Sequence, residues 1–294
     1  MRLLDALRSS AEYLERAGIE DAFVDAELLV FHAAGIERLT AYMENPEIGK
    51  GLSARIRRLA RRRAAGEPVQ YIIGQVDFLG LRINVGKGVL IPRPETELLA
   101  GEAIRQVRGL DAGVIRHDEN SRLSSSQSLL KIFDLCTGSG CIALVLARQF
   151  PAAQVYAADV SRRALRYAKK NAKLNDVNNV TFLEGSLFGP VKNLLFDLIV
   201  SNPPYIRTGD IAGLQREIRQ WEPIDALDGG PEGLDFYAQI FSGARGHLKE
   251  NGVLIVEIGF GQAEDVAKMA RQSGFSLIEI TKDYAGIERI LKAV

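Results

Sequence analysis

The tetrapeptide Asn202-Pro203-Pro204-Tyr205 follows directly on the apolar run Phe196 to Ser201, and its residue types suit the handling of a flat nitrogen. Consecutive prolines remove two backbone donors and fix φ, so the segment offers carbonyl oxygens with no neighbouring N–H groups competing for them. A carboxamide or ring amino group carries N–H donors and a lone pair drawn into its π system. Donors held by the Asn202 side-chain oxygen and the Pro203 carbonyl would aim that nitrogen at the methyl of a sulfonium. Positioning of this kind can contribute on the order of 7 to 11 kcal/mol without any strong base. The proton would leave after transfer, from a nitrogen that has become acidic. Tyr205 adds a flat face for the amide or its flanking chain. Asn202, Pro203 and Tyr205 are therefore the expected catalytic residues, and Pro204 joins them in holding substrate. Asn-Pro also opens ordinary turns, and only its place after a strand of a ligand-binding sheet favours the chemical reading.

A second constellation lies upstream. The run Asp134-Leu135-Cys136-Thr137-Gly138-Ser139-Gly140 ends an apolar strand, and its small residues let the backbone turn sharply and approach a ligand before a helix begins. The lysine of a P-loop is missing and the glycine spacing is not that of the dinucleotide fingerprint. Asp159, at the end of the next strand, is placed to accept hydrogen bonds from both ribose hydroxyls of an adenosine. The competing reading of Asp159 is a helix cap beside Ser161.

The elements that must position these residues follow from periodicity. Leu3, Leu7, Ala11 and Leu14, then Ala26, Leu29, Val30 and Ala33, recur at helical steps, so a small helical domain is expected up to about Gly66. Val76, Phe78, Ile83 and Val85 around Gly80 suggest a short hairpin. Residues 109 to 128 are polar and read as an exposed loop. From Leu129, strands at 132–135, 154–159, 180–184 and 196–201 alternate with helices, which implies right-handed crossovers and a sheet covered on both faces. A helix at about 234–248, a strand at 252–257, a helix from Gly261 and two closing strands near 275–280 and 286–291 complete the pattern.

Composition narrows the function classes. The chain has 294 residues, 47% of them hydrophobic, enough for about two domains. Lys plus Arg and Asp plus Glu both number 37, so no net field draws it toward nucleic acid or an anionic membrane. The charged amino terminus leaves no room for a signal core, and no apolar run could span a bilayer, so a cytoplasmic location is expected. Cys136 and Cys141 with scattered His32, His117 and His247 suggest neither disulfides nor a metal site. Arg55, Arg57, Arg58, Arg61, Arg62 and Arg63 could steer an acidic or RNA-bound partner, but such a run reads first as the solvated face of an amphipathic helix.

With these residues placed, the chain resembles the release-factor glutamine N5-methyltransferases, the HemK/PrmC family, over nearly its whole length. Four segments carry the resemblance: Tyr71-Ile72-Ile73-Gly74 with Phe78-Leu79-Gly80; Ile91-Pro92-Arg93-Pro94-Glu95-Thr96-Glu97; Asp134 to Gly140; and Asn202 to Tyr205 followed by Trp221-Glu222-Pro223 and Ala226-Leu227-Asp228-Gly229-Gly230. The resemblance implies an α/β fold, the class I methyltransferase Rossmann-like seven-stranded mixed sheet. It further implies an N-terminal helical substrate-binding domain over 1–70, a β-hairpin linker over 71–92 and an S-adenosylmethionine-dependent methyltransferase domain over 93–294. The implied cofactor is S-adenosyl-L-methionine, with S-adenosyl-L-homocysteine as product, and the cofactor contacts expected are Asp134, Cys136, Thr137, Gly138, Ser139, Gly140, Asp159, Ser186, Leu187 and Asn202. The implied partner is a peptide chain release factor, methylated on the glutamine of its Gly-Gly-Gln tripeptide by a monomeric, cytoplasmic enzyme with no membrane or nucleic-acid partner.

Asn-Pro-Pro-Tyr alone does not select this family, because amino methyltransferases acting on DNA adenine or ribosomal RNA guanine look similar there. Pro94 to Glu97 favours release factor over ribosomal protein as the glutamine donor. The same stretch also reads as a proline-started helix with acids in its first turn. Two departures stand out: Cys136 where relatives usually carry Gly, and Ser186-Leu187 where they often carry an acid and sometimes an aromatic before Phe188. A non-catalytic adaptor of the same fold is the remaining alternative, and intact Asn202, Pro203, Pro204, Asp159, Gly138 and Gly140 speak against it.

Overall fold

The computed structural model describes residues 1–118 and 129–294. They fall into two compact units, one of Met1–Gln75, Val85–Lys87 and Leu214–Glu222, the other of Val76–Asn84, Gly88–Gly213 and Pro223–Val294. The segment expected as a linker is thus divided between them.

The first unit is helical: α1 (Leu3–Arg16), α2 (Ala22–Ala34), α3 (Arg38–Glu44), α4 (Lys50–Ala64) and α5 (Val69–Ile73). Its core is the stripe foreseen from periodicity, with Leu3, Leu7 and Leu14 of α1 against Ala26, Leu29 and Val30 of α2 and Ile56 and Leu59 of α4. Gly35 ends α2 in the left-handed conformation, φ 66°, which glycine adopts without steric cost. Along α4, Arg55, Arg57, Arg58, Arg61 and Arg62 are exposed, as a solvated face requires. Arg63 departs from them. It is buried, and its guanidinium pairs with Asp25 at 2.5 Å and with Glu217 at 2.6 Å.

The second unit opens with a hairpin of β1 (Gln75–Phe78) and β2 (Leu81–Asn84), turned at Leu79 and Gly80, both at positive φ. Helix α6 (Pro94–Asp118) begins on a proline, whose missing N–H costs nothing in a first turn, and buries Leu99, Ala100, Ala103 and Val107. Here an expectation fails: the loop read over 109–128 is helix as far as Asp118, and 119–128 lie outside the described residues.

The remaining elements are β3 (Lys131–Leu135), α7 (Cys141–Gln149), β4 (Gln154–Asp159), α8 (Arg162–Leu174), β5 (Val180–Glu184), β6 (Phe196–Ser201), the short α9 (Arg216–Trp221) of the first unit, α10 (Asp235–Ala244), β7 (Leu248–Glu257), α11 (Ala263–Gln272), β8 (Ile278–Lys282) and β9 (Glu288–Ala293). Seven strands form one sheet in the order β5-β4-β3-β6-β7-β9-β8. The first five pair in parallel, while β9 runs antiparallel to both β7 and β8. The sheet is therefore mixed, as expected. On one face, Phe133 stacks on Phe196 at 4.9 Å and joins Tyr237, Ile240 and Phe241 of α10 in the main core. No helix among the described residues is long and apolar enough to cross a membrane.

Candidate active site

The parallel pairing of β3 with β6 creates the site. Leu135 and Ser201 are the last partners in register, so the Cys136–Gly140 turn and the Asn202–Tyr205 loop leave the sheet side by side at its carboxyl edge. Strand order reverses at this point, with β4 on one side of β3 and β6 on the other, and open α/β sheets take ligands in such crevices.

The glycine turn is held by backbone bonds from Thr137 N to Ala158 O (3.0 Å) and from Gly140 N to Thr137 O (2.9 Å). Its two glycines have different reasons. A Cβ on Gly138 (φ +56°) would meet nothing within 4 Å, so this backbone faces open space. One on Gly140 (φ +82°) would come within 2.9 Å of the Ala168 Cβ, so α8 packs against the bare backbone. Cys136 itself sits at φ +61°, the left-handed region that favours glycine, a physical reason for the glycine expected there. Burial, with help from Asp159 and Asp134, pushes its thiol up to about 12, so it stays protonated near neutrality.

Asp134 is fully buried. Its Oδ2 accepts from the Thr137 hydroxyl at 2.5 Å and from Ala143 N at 3.1 Å, while Oδ1 has no partner. Burial pushes its carboxyl up to about 7 against the pull of those two donors. Asp159 accepts from Gly138 N and Ser161 N, both at 2.8 Å, and Ser161 in turn caps α8 by accepting from Ala164 N at 3.2 Å. The cap of α8 is thus Ser161 and not Asp159, and each Asp159 carboxylate oxygen keeps a second acceptor position. Its carboxyl is raised by burial and drawn back by the two N–H groups. Gly185 N donates to Asp159 O at 3.0 Å, which brings the turn containing Ser186 and Leu187 beside Asp159. Ser186 is exposed, whereas Leu187, at φ +45°, packs partly against the core.

The acceptor loop is clamped from several directions. Asn202 Nδ2 donates to Thr96 Oγ1 at 3.0 Å, and Thr96 Oγ1 donates to Glu257 Oε2 at 2.9 Å. Tyr205 OH donates to the other oxygen of Glu257 at 3.1 Å, and Gln262 Nε2 donates to Tyr205 O at 2.9 Å. Burial pushes the Glu257 carboxyl up to about 7, opposed by the Thr96 and Tyr205 hydroxyls. The segment around Ala226 to Gly230 lies against the loop, with Ile206 N donating to Leu227 O and Gly229 N to Ile206 O. A Cβ on Gly229 would lie 2.7 Å from Tyr205 Cα, so only glycine admits this approach.

The structure thus gathers Asp134, Cys136 to Gly140, Asp159 and Asn202 to Tyr205 at one edge. Sequence reasoning missed Asn171 and Gln262. Asn171 is fully buried and donates to Ser139 O at 2.9 Å and to Asn84 O at 3.1 Å, tying the glycine turn to the hairpin. A lone polar residue at that point in a helix was the only signal. Thr96 stood in view, but its segment had been read as a mark of acceptor choice. Nearby, Arg289 pairs with Asp283 at 3.1 Å and approaches Glu95 at 3.9 Å. Among the described residues no group of three or more His, Cys, Asp or Glu side chains could hold a metal ion.

A parallel sheet closed by an antiparallel pair, with a glycine turn and an amide-bearing proline loop meeting at its switch point, is the architecture of Rossmann-like methyltransferases. Family models agree: one described as the PrmC N-terminal domain matches residues 5–74, and one described as the methyltransferase small domain matches residues 121–218. A release factor glutamine methyltransferase of Thermodesulfovibrio yellowstonii is 42% identical over 91% of this chain and 90% of its own length. One of Geobacter sulfurreducens is 41% identical over 95% and 92%. The chain belongs to the release factor glutamine methyltransferase family. Among solved structures, a methyltransferase from Pyrococcus furiosus shares the fold with a TM-score of 0.51 at 17% identity, covering 82% of this chain and 98% of that one. The hMettl16 catalytic domain in complex with the MAT2A 3'UTR hairpin 1 does so with a TM-score of 0.55 at 16% identity, covering 90% of each chain.

Proposed function

We propose that the protein transfers the methyl group of S-adenosyl-L-methionine to the side-chain amide nitrogen of the glutamine in the Gly-Gly-Gln motif of peptide chain release factors, leaving S-adenosyl-L-homocysteine. The observation that carries this reading is the fixed sense of the Asn202 amide. Its NH2 end is taken up by Thr96, and no donor among the described residues reaches its Oδ1. An acceptor is therefore left over at the sheet edge for the N–H of an incoming carboxamide.

The residues present fit the cofactor. The unpartnered Asp134 Oδ1 suits a ligand carrying an ammonium, the bare backbone at Gly138 leaves room for close approach, and Asp159 retains acceptor positions for ribose hydroxyls. Cys136, Thr137, Ser139 and Gly140 shape the same turn, and Ser186 and Leu187 stand beside Asp159 for the base. When bound, S-adenosyl-L-methionine supplies an electrophilic methyl on a positively charged sulfur. Asn202 Oδ1 and the Pro203 carbonyl would hold the two N–H groups of the substrate amide, with Pro204 stiffening the loop and the Tyr205 ring beside the amide plane. The nitrogen gains a methyl and becomes acidic, and its extra proton passes to solvent without a dedicated base. Orientation is the main catalytic contribution.

Incubation with labelled S-adenosyl-L-methionine tests this against a release factor, the same factor with its tripeptide glutamine replaced, and ribosomal RNA. Label is expected in the intact factor alone. Asn202→Ala should abolish turnover and leave cofactor affinity within a few-fold. Label in RNA would replace the reading with nucleic-acid amino methylation.

A further inference from the structure

We infer that Thr96 and Glu257 form a positioning relay that dictates which end of the Asn202 amide faces the substrate, an inference that rests on the methyl-transfer reading above. An Asn side chain is nearly symmetric in shape, and only its hydrogen-bond partners decide whether oxygen or nitrogen points outward. Thr96 has a single hydroxyl proton. With Glu257 ionised, that proton goes to Oε2 at 2.9 Å, so Thr96 presents a lone pair to Asn202 and only the NH2 end can meet it, at 3.0 Å. Oδ1 is turned outward as a consequence. Both relay members are shielded from water, Thr96 at 3% and Glu257 at 1% exposure, so solvent cannot substitute for either. Backbone holds the hydroxyl in place: Thr96 N donates to Arg93 O at 3.0 Å in the first turn of α6, and Glu257 ends β7 beside β6.

The relay reverses when Glu257 is protonated. The carboxylic acid then donates to Thr96, Thr96 donates onward, and the Asn202 amide must rotate to offer its oxygen inward. Substrate would then face an NH2 group, which repels its own N–H donors. The groups facing Glu257 are Glu95 on α6, which favours protonation; Arg289 on β9 and the Thr96 and Tyr205 hydroxyls, which oppose it; Tyr237 on α10, which donates to its backbone carbonyl at 3.0 Å; and Cys141 at the start of α7. With the carboxyl pushed up to about 7, the reversal falls in an accessible pH range.

The experiment compares wild type, Thr96→Val, Thr96→Ser and Glu257→Gln by steady-state kinetics from pH 6 to 9, cofactor affinity, and the Asn202 side-chain amide resonances, identified by their loss in Asn202→Ala. Thr96→Val should lower kcat on the order of tenfold to a hundredfold with cofactor Kd within about threefold. Thr96→Ser, which keeps the hydroxyl, should recover most of that loss. The wild-type kcat should fall on the acid side of about pH 7, and Glu257→Gln should lose that limb. Without any acceptor present, the Asn202 amide resonances should shift with the same midpoint in wild type and stay flat in Thr96→Val. A flat wild-type titration, or unchanged kcat in Thr96→Val, would overturn the relay whatever the acceptor. A titrating amide in a protein that leaves release factor unlabelled would instead sink the substrate assignment and leave the relay standing. If Thr96→Val does not fold, the wild-type titration and Glu257→Gln decide.

Discussion

Ser201 and Leu135, register partners at the ends of β6 and β3, are joined by a bond from Ser201 Oγ to Leu135 O at 2.9 Å, entirely out of solvent. This one contact spans the two loops of the site, since Cys136 follows one residue and Asn202 the other. Ser201→Ala should remove this buried bond and cost about 0.5 to 1.5 kcal/mol. Urea unfolding should show a lower midpoint with an unchanged slope; a midpoint equal to wild type would mean the bond adds nothing.

The glycines of the turn should fail in different ways. Gly140→Ala drives a Cβ into Ala168 as well as forcing a left-handed alanine, so the fold itself should lose stability, on the order of 2 kcal/mol or more. Gly138→Ala meets no atom and should cost only about 1 kcal/mol of backbone strain. Its Cβ projects into the space proposed for the cofactor, so calorimetry should record weakened S-adenosyl-L-methionine binding in a well-folded protein. Equal binding in Gly138→Ala and wild type would place the cofactor elsewhere.

Asn171 makes a separate prediction. Its Nδ2 serves Ser139 O and Asn84 O, and its Oδ1 accepts from Asn84 N at 2.7 Å. Oδ1 also accepts from Asn84 Nδ2 at 2.9 Å, so Asn171→Ala removes four bonds at a buried position and should destabilise by about 2 to 4 kcal/mol. Faster hydrogen exchange should appear both at the hairpin and at the glycine turn, although they are far apart in sequence. Exchange confined to α8 would show that Asn171 couples nothing.

Two buried carboxyls give stability a pH dependence of unusual sign. Asp134 and Glu257 are both raised to about 7 by burial, from ordinary values of 3.8 and 4.5. Between those values the native state holds protons that the unfolded chain has lost, so stability falls as pH rises from about 4 to 7 and then levels. Asp134→Asn cannot ionise and escapes that share of the decline. Relative to wild type its unfolding free energy should gain about 1 to 3 kcal/mol between pH 5 and 7. A constant difference across that range would count against a raised Asp134.

Much of this molecule was written in local patterns. The strands at 154–159, 180–184 and 196–201 have the boundaries expected from sequence: β6, central in the sheet, is buried along nearly its whole length and reads as an apolar run, while β5 at the edge is only partly covered and mixes polar with apolar residues. Asn-Pro-Pro-Tyr was legible because two prolines fix φ and remove donors directly after an apolar strand, and the glycine turn because positive φ excludes most side chains. The loop expected over 109–128 was misread as far as Asp118, where α6 continues, because polar composition by itself does not exclude a helix.

Partnership was what the sequence could not specify. Thr96 and Glu257 are 161 positions apart, and Asn202 lies between them in the chain without being near either; only the stacking of α6 against a sheet ordered β3-β6-β7 brings all three together. Residue type gave each of them a capacity to donate or accept. The direction of every proton, and hence which face of Asn202 meets a substrate, depends on distances of about 3 Å between groups that folding alone makes neighbours.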